Sequence, residues 1–312
     1  MLLSFWLENH NVIGQSSLED VIGIIGHQAR ALGHHAVWDH SIRNKFIGGA
    51  MGYNVIVEGF TPGIIKVIAD AHAQGARFIC IATEEPTPKG FNHGTQIEMV
   101  KRQERWPEVA PFIDGTIHLV PGEHVTNWFS QFGPTAYSEL GYAPTLVRPT
   151  HGITPTFEFG FYGSLTKRRL KILKRLRDVS NAAKAVKIVS DFKSQHERDK
   201  LMQEAKVIVQ IRKFEEMGLV SSSRCNTALC LGRPVVAEPH LLSKPWDEIV
   251  KFTDTIEGFI NTAMITKAAW KGIHAAQFER FKDKLGPRSP ICVGAALEKF
   301  GIVSPIHQRR TA

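Results

Sequence analysis

The feature that most constrains this chain is an alternation, run twice, of short apolar segments with amphipathic ones. Leu2–Leu7, 54–58, 77–82 and 115–120 read as strands, the middle ones apolar on both faces. Helical patterns lie between them: one opening at Ser17 and ending near Gly33, one from Thr61-Pro62 to Gly75, and others over 96–104 and 123–132. Apolar strands that do not alternate with polar residues belong to parallel sheets covered by helices on both faces. Proline and glycine then crowd 141–155, and the alternation restarts. Strands are predicted at 157–162, 186–189, 206–211 and 234–237, helices at 167–177, 196–204 and 221–231, and a helical tail over the last 55 or so residues. The expected fold is α/β: two Rossmann-like βαβ domains, 1–150 and 151–312, facing across a cleft.

Charge divides the same way. Residues 1–155 carry a net −4 and residues 156–312 a net +12. The basic half should attract phosphate-rich partners. Four cysteines without a Cys-x-x-Cys pair argue against a disulfide framework and a zinc knuckle, and Cys225 and Cys230 read as core. No apolar run reaches the roughly 18 residues of a membrane span, and the first residues lack a basic leader, so a cytoplasmic protein is expected. His27, His34, His35 and His40 straddle a helix, a turn and a strand and read as surface and turn residues, not a metal cluster.

Ligands of α/β sheets bind outside the carboxyl ends of the strands. In the second half, Gly163-Ser164-Leu165-Thr166 leads into a helix beginning Lys167-Arg168-Arg169. A small residue lets a phosphate approach the backbone, and a helix N-terminus with added cations favours an anion. The other basic residues of 167–177 read as a solvated face. Arg212 leaves the third strand, and Ser221-Ser222-Ser223-Arg224 open the next helix. Serines there are either caps or, with Arg212 and Arg224, diphosphate ligands. Glu238 ends the following strand.

These residues resemble a known family. Leu32-Gly33-His34-His35-Ala36-Val37 is similar to the start of glycosyltransferases of the GT-B fold, and Phe161-Tyr162-Gly163-Ser164 to the opening of their second domain. Gly218-Leu219-Val220 with Ala228–Glu238 resembles their donor-binding helix and strand. The resemblance implies transfer of a sugar from a nucleotide-diphosphate sugar, UDP- or GDP-linked, to an acceptor hydroxyl, with no further cofactor. Gly163, Ser164, Arg168, Arg212 and Ser221–Arg224 would lie near the diphosphate, Phe192 near the base, and Glu238 or Glu215 near the ribose. Many retaining members carry two glutamates eight positions apart; counting from Glu215 reaches Ser223, so that pair is broken. With no Asp-x-Asp triplet, cations and helix dipoles are expected to neutralise the diphosphate without metal.

The first half is expected to hold the acceptor. His10, after the first strand, and Glu84 or Glu85, after another, are the candidate bases, against the simpler role of solvating a loop. A glycan, small molecule or protein acceptor is expected, with DNA, lipid or a peripheral membrane contact as alternatives. Two other readings compete with this one. A dinucleotide oxidoreductase needs a Gly-x-Gly-x-x-Gly turn that neither 9–16 nor 163–169 contains. A non-catalytic, two-lobed nucleotide binder fits the broken glutamate pair.

Overall fold

The computed structural model describes residues 1–7, 12–38, 46–94, 96–149, 153–182, 184–190, 194–213, 221–238 and 244–303, with backbone alone at 12–17 and 251. The chain forms two compact units, Met1–Ala143 joined by the chain from Pro287 onward, and Pro144–Gly286.

In the first unit the elements run β1 (Leu2–Trp6), α1 (Val12–Ala31), β2 (His35–Trp38), β3 (Gly52–Val57), α2 (Pro62–Ala73) and β4 (Phe78–Ala82). They continue with α3 (Ile97–Glu104), α4 (Trp106–Val109), β5 (Gly115–His118), α5 (Glu123–Ser130) and β6 (Thr135–Tyr137). The six strands are parallel in the order β2-β1-β3-β4-β5-β6. Every residue of β3 and β4 is buried, as a sheet covered on both faces requires. Asn54 of β3 is a polar residue placed in that core. Its amide accepts from Trp6 Nε1 at 3.2 Å and donates to the carbonyls of Ile47 and Arg77 at 2.9 and 3.1 Å. A buried amide satisfied on both sides pins the register of its strand instead of weakening it.

The second unit contains β7 (Phe157–Tyr162), α6 (Lys167–Ser180), β8 (Val186–Val189), α7 (Gln195–Glu204) and β9 (Ala205–Gln210). It continues with α8 (Ser222–Cys230), β10 (Val235–Ala237), α9 (Trp246–Ile249), β11 (Lys251–Phe252), α10 (Ile256–Ala268) and α11 (Trp270–Lys284). Its five strands are also parallel, in the order β11-β10-β9-β7-β8. Phe159 and Phe161 lie in a core shared with Ile172, Leu173 and Leu176 of α6 and Val207 and Val209 of β9, while Phe157 is only half-buried. Cys225 and Cys230 are buried free thiols.

The α/β class and the two parallel sheets are as expected. Three details differ. First, α1 begins at Val12 and not at Ser17. Serines inside a helix cost only about 0.5 kcal/mol each relative to alanine, so Ser16 and Ser17 do not stop one whose later turns bury Ile22, Ile24 and Ile25. Second, His34 is not a surface residue. Gly33 N–H bonds to the Arg30 carbonyl and His34 N–H to that of Ala29, and this close of α1 turns the imidazole inward to 4% exposure. Burial holds its pKa down at about 4. Third, the tail beyond Pro287 packs with the first unit, although its residues were expected in the second. Its helix α12 (Val293–Lys299) buries Val293, Ala296 and Leu297, and a Cβ added at Gly294 would sit 2.7 Å from Leu32 Cδ1. The pattern of apolar residues shows that a helix forms, not which of two cores receives it.

Candidate functional site

In both sheets the first strand has later strands on either side, so the order reverses beside it: between β1 and β3 in one, between β7 and β9 in the other. Crevices for ligands open at the carboxyl ends of strands at such points.

In the second unit that point is built from β7, β9 and β10. After Tyr162 the chain turns through Gly163 at φ 130°, and a Cβ there would lie 3.1 Å from Nη2 of Arg224. Glycine thus provides both the backbone angle and the room for a guanidinium against the turn. Thr166 caps α6, its hydroxyl accepting from Arg169 N–H at 3.3 Å, and this places Arg168 and Arg169 in the first turn.

The two arginines diverge. Arg169 folds back into the unit at 6% exposure and donates to the carbonyls of Ile211 and Ser164 at 2.9 and 2.7 Å. Burial, and then the charge of Arg224, push its pKa down to about 10. Arg168 reaches Glu238, Nη1 to Oε2 at 2.9 Å and Nη2 to Oε1 at 2.5 Å. Glu238 follows β10, is fully buried, and also accepts from the backbone N–H of Arg212 at 2.6 Å. The Arg212 side chain lies 4.0 Å from the same carboxylate. Arg224, in the first turn of α8, stands over the Tyr162 ring at 4.8 Å and donates to Gln210 Oε1 at 3.2 Å. Among the described residues, Arg168 and Arg212 thus share the Glu238 carboxylate, Arg169 feels its charge, and Arg224 stands beside Arg169 at the Gly163 turn, so that four guanidinium groups gather at the ends of three adjacent strands.

Of the residues singled out from the sequence, Gly163, Ser164, Arg168, Arg212, Arg224 and Glu238 come together here. Glu238 was expected at a ribose; both its oxygens are engaged by Arg168 and Arg212. Ser221 is the N-cap residue of α8 but makes no side-chain cap bond, and the Ser222 hydroxyl accepts from Trp246 Nε1 at 3.1 Å. Ser223 follows, half-buried, in the first turn. Phe192, Glu215 and Gly218-Leu219-Val220 lie outside the described residues. Tyr162 and Gln210 were missed as members, and Arg169, expected among the first-turn cations, folds inward onto backbone carbonyls instead. The spacing held a signal for Arg169: with Ile172, Leu173 and Leu176 it lies on the helix stripe at i, i+3, i+4 and i+7, which is the buried face.

In the first unit, His10 lies outside the described residues. Glu84 and Glu85 follow β4. Asn92, with φ 49°, donates its side-chain amide to Glu84 Oε2, and its Oδ1 accepts from Glu85 N–H at 3.0 Å. Glu85 Oε1 is 3.1 Å from Nε2 of His124, and Oε2 is 3.9 Å from Nε2 of His93.

A third carboxyl, missed from the sequence, is Glu58 after β3. It is 2% exposed and accepts from Thr83 N–H at 2.5 Å and from the Thr83 hydroxyl. Burial, reinforced by the charge of Glu84, pushes its pKa up to about 8, against the opposing pull of Thr83 and Arg102. Its sequence signal is a lone acid ending an otherwise apolar strand. Linkage then has a definite sign. The unfolded chain ionises this group near its ordinary value, whereas the folded chain holds the proton to about pH 8. Stability should therefore fall as pH rises from about 5 to 8, by up to ~1.4 kcal/mol per pH unit. Urea unfolding of wild type and Glu58→Gln across that range checks this: the variant should lack the slope, and parallel curves would contradict the assignment.

No protein-family model matches the chain, and no curated protein matches it significantly. Solved structures similar to it include an α1,3-fucosyltransferase (9% identity, TM-score 0.42, covering 96% of this chain and 89% of that one). Another is a glycosylation-associated protein complex from Streptococcus agalactiae (10%, TM-score 0.47, covering 83% of this chain and 55% of that one). A third is an O-GlcNAc transferase from Thermobaculum terrenum (9%, TM-score 0.42, covering 99% and 67%). At these identities and TM-scores the likenesses are distant. No helix among the described residues is long and apolar enough to cross a membrane.

Proposed function

We propose that this protein is a glycosyltransferase that binds the diphosphate of a UDP- or GDP-linked sugar at the carboxyl edge of the second sheet. The observation that carries this reading is the gathering of four arginines at this edge, two of them on the buried Glu238. Gathering like charges in a half-buried site is costly unless an anion completes it. A diphosphate supplies two or more negative charges and the acceptor oxygens that guanidinium groups bind best. The first turn of α8, uncapped by the Ser221 side chain, adds backbone N–H donors.

In the reaction the acceptor oxygen bonds to the anomeric carbon as its proton passes to a base. The bond from that carbon to the diphosphate oxygen breaks, and the electron pair leaves with the nucleoside diphosphate. Charge accumulates on the leaving group, where positioned cations stabilise it most. With the guanidinium groups supplying that charge, we read the reaction as metal-independent. The first unit, with Glu84 and Glu85 at its own strand ends, is read as the acceptor side.

A thermal-shift titration with UDP, GDP, CMP, dTDP and NAD, with and without EDTA, tests the donor site. One nucleoside diphosphate at a hundred times its Kd should stabilise the chain by about 2.7 kcal/mol, EDTA making no difference. A shift with NAD alone, or with none, would remove the donor assignment. Binding without turnover on any acceptor would instead favour the non-catalytic nucleotide binder, which the broken Glu215/Ser223 pair also suits.

A further inference from the structure

The acceptor side holds an arrangement that neither the resemblance nor the spacing of motifs assigned. His124 opens α5, Glu85 follows β4, and Nε2 meets Oε1 at 3.1 Å. A carboxylate only accepts, so Nε2 is the ring's donor, and in the neutral imidazole Nδ1 then carries the lone pair. Among the described residues nothing bonds Nδ1. Its edge of the ring faces Gly122, where an added Cβ would lie 2.9 Å from Nδ1 and 2.8 Å from Cε1. Gly122 has φ 130°, a backbone angle that itself excludes most side chains. The basic nitrogen is thus left clear while the other is held.

The carboxylate is held in turn. Asn92 accepts from Glu85 N–H and donates its own N–H to the Glu85 carbonyl at 2.7 Å. Asn92 and the next residue, His93, both take left-handed backbone angles, 49° and 63° in φ. Two successive non-glycine residues in that region are costly, and this strained turn brings a second imidazole to 3.9 Å from Glu85. Glu85 is three-quarters buried, whereas His124 is 55% exposed and reachable from solvent. An imidazole oriented by a buried carboxylate, with its second nitrogen open, is the arrangement that proton abstraction from a hydroxyl needs.

We infer that His124 is the base that takes the acceptor hydroxyl proton on Nδ1, and that Glu85 is a positioning residue that fixes the ring and stabilises the imidazolium. This assignment rests on the transferase reading above. The proton moves from the attacking O–H to Nδ1 as the oxygen bonds to the anomeric carbon, and the diphosphate leaves with the pair from the broken bond. Glu85 thereby exchanges the direct role expected of it for an indirect one.

The test follows nucleoside diphosphate release from UDP-glucose, UDP-N-acetylglucosamine, GDP-fucose and GDP-mannose, with water as the acceptor. His124→Ala should lower turnover ~100-fold or more with donor Kd unchanged, and free imidazole should restore at least ~tenfold of the loss. Glu85→Gln should reduce turnover less, with KM for donor unaltered. A purely structural role for His124 would leave imidazole without effect and overturn the inference. So would turnover by His124→Ala within threefold of wild type (about 0.7 kcal/mol). A wild-type chain that binds none of the four donors removes the transferase reading and this one with it. Binding without turnover overturns the catalytic assignment while the donor site stands.

Discussion

Glu238→Ala is expected to lower the unfolding free energy of the second unit by about 3–5 kcal/mol and its Tm by at least ~6 °C. Glu238 is fully buried and accepts from both terminal nitrogens of Arg168 and from the backbone of Arg212. Alanine would remove the carboxylate that Arg168, 18% exposed, and Arg212 share, at an edge already crowded with guanidinium groups. Breaking a buried pair from one side costs far more than the pair contributes, because the remaining charge stays in a poor solvent. A second readout separates this cause from simple cavity formation. Inorganic phosphate or sulfate should raise the Tm of the variant more than that of wild type, since an anion can stand where the carboxylate stood. Equal shifts in both proteins, or a variant within ~2 °C of wild type, would show that Glu238 does not balance the cluster.

Arg224→Ala should act the opposite way, with nucleoside diphosphate affinity falling ~10–100-fold and stability near that of wild type. The affinity estimate is one lost charge-assisted contact, about 1.5–3 kcal/mol, at 1.4 kcal/mol per tenfold. Stability is spared because Arg224 is half-buried, its bond to Gln210 is to a neutral acceptor, and it repels its neighbour Arg169. Removing it relaxes that repulsion and frees the Tyr162 face. Arg212→Ala is expected to follow, since its bond to Glu238 at 2.6 Å comes from the backbone and survives the substitution. Calorimetric titration with UDP and GDP measures both variants. Unchanged affinity in the two together would falsify the diphosphate site.

Much of the fold was legible because its signal is local. A strand such as Phe78–Ala82, apolar at every position, has no stable place except inside a covered parallel sheet, and Pro62 behind Thr61 marks a helix start whatever surrounds it. The elements that escaped reading include short ones, Thr135–Tyr137, Lys251–Phe252, Trp106–Val109 and Trp246–Ile249. Two to four residues are too few for a period to show, and only pairing with a neighbour, as Ile117 with Ala136, makes a strand of them.

The cationic edge of the second sheet was legible for a related reason. Ligand residues of α/β sheets follow the strands, so finding the strands finds Gly163, Arg212 and Glu238. The partners of those residues were not. Nothing in the spacing says that Arg168 spans 70 positions to Glu238, or that His124 meets Glu85 across 39.

By itself, then, the chain's pattern of apolar and polar residues determined two parallel α/β sheets, an acidic half and a basic one, and a cationic edge suited to phosphate. Only tertiary structure decided that the tail after Pro287 rejoins the first unit, that Glu58 is buried as an acid, and which cations share one carboxylate. Backbone propensity and periodicity are set by neighbours within a few positions. Charge balance and burial depend on groups that the fold brings together from far along the chain.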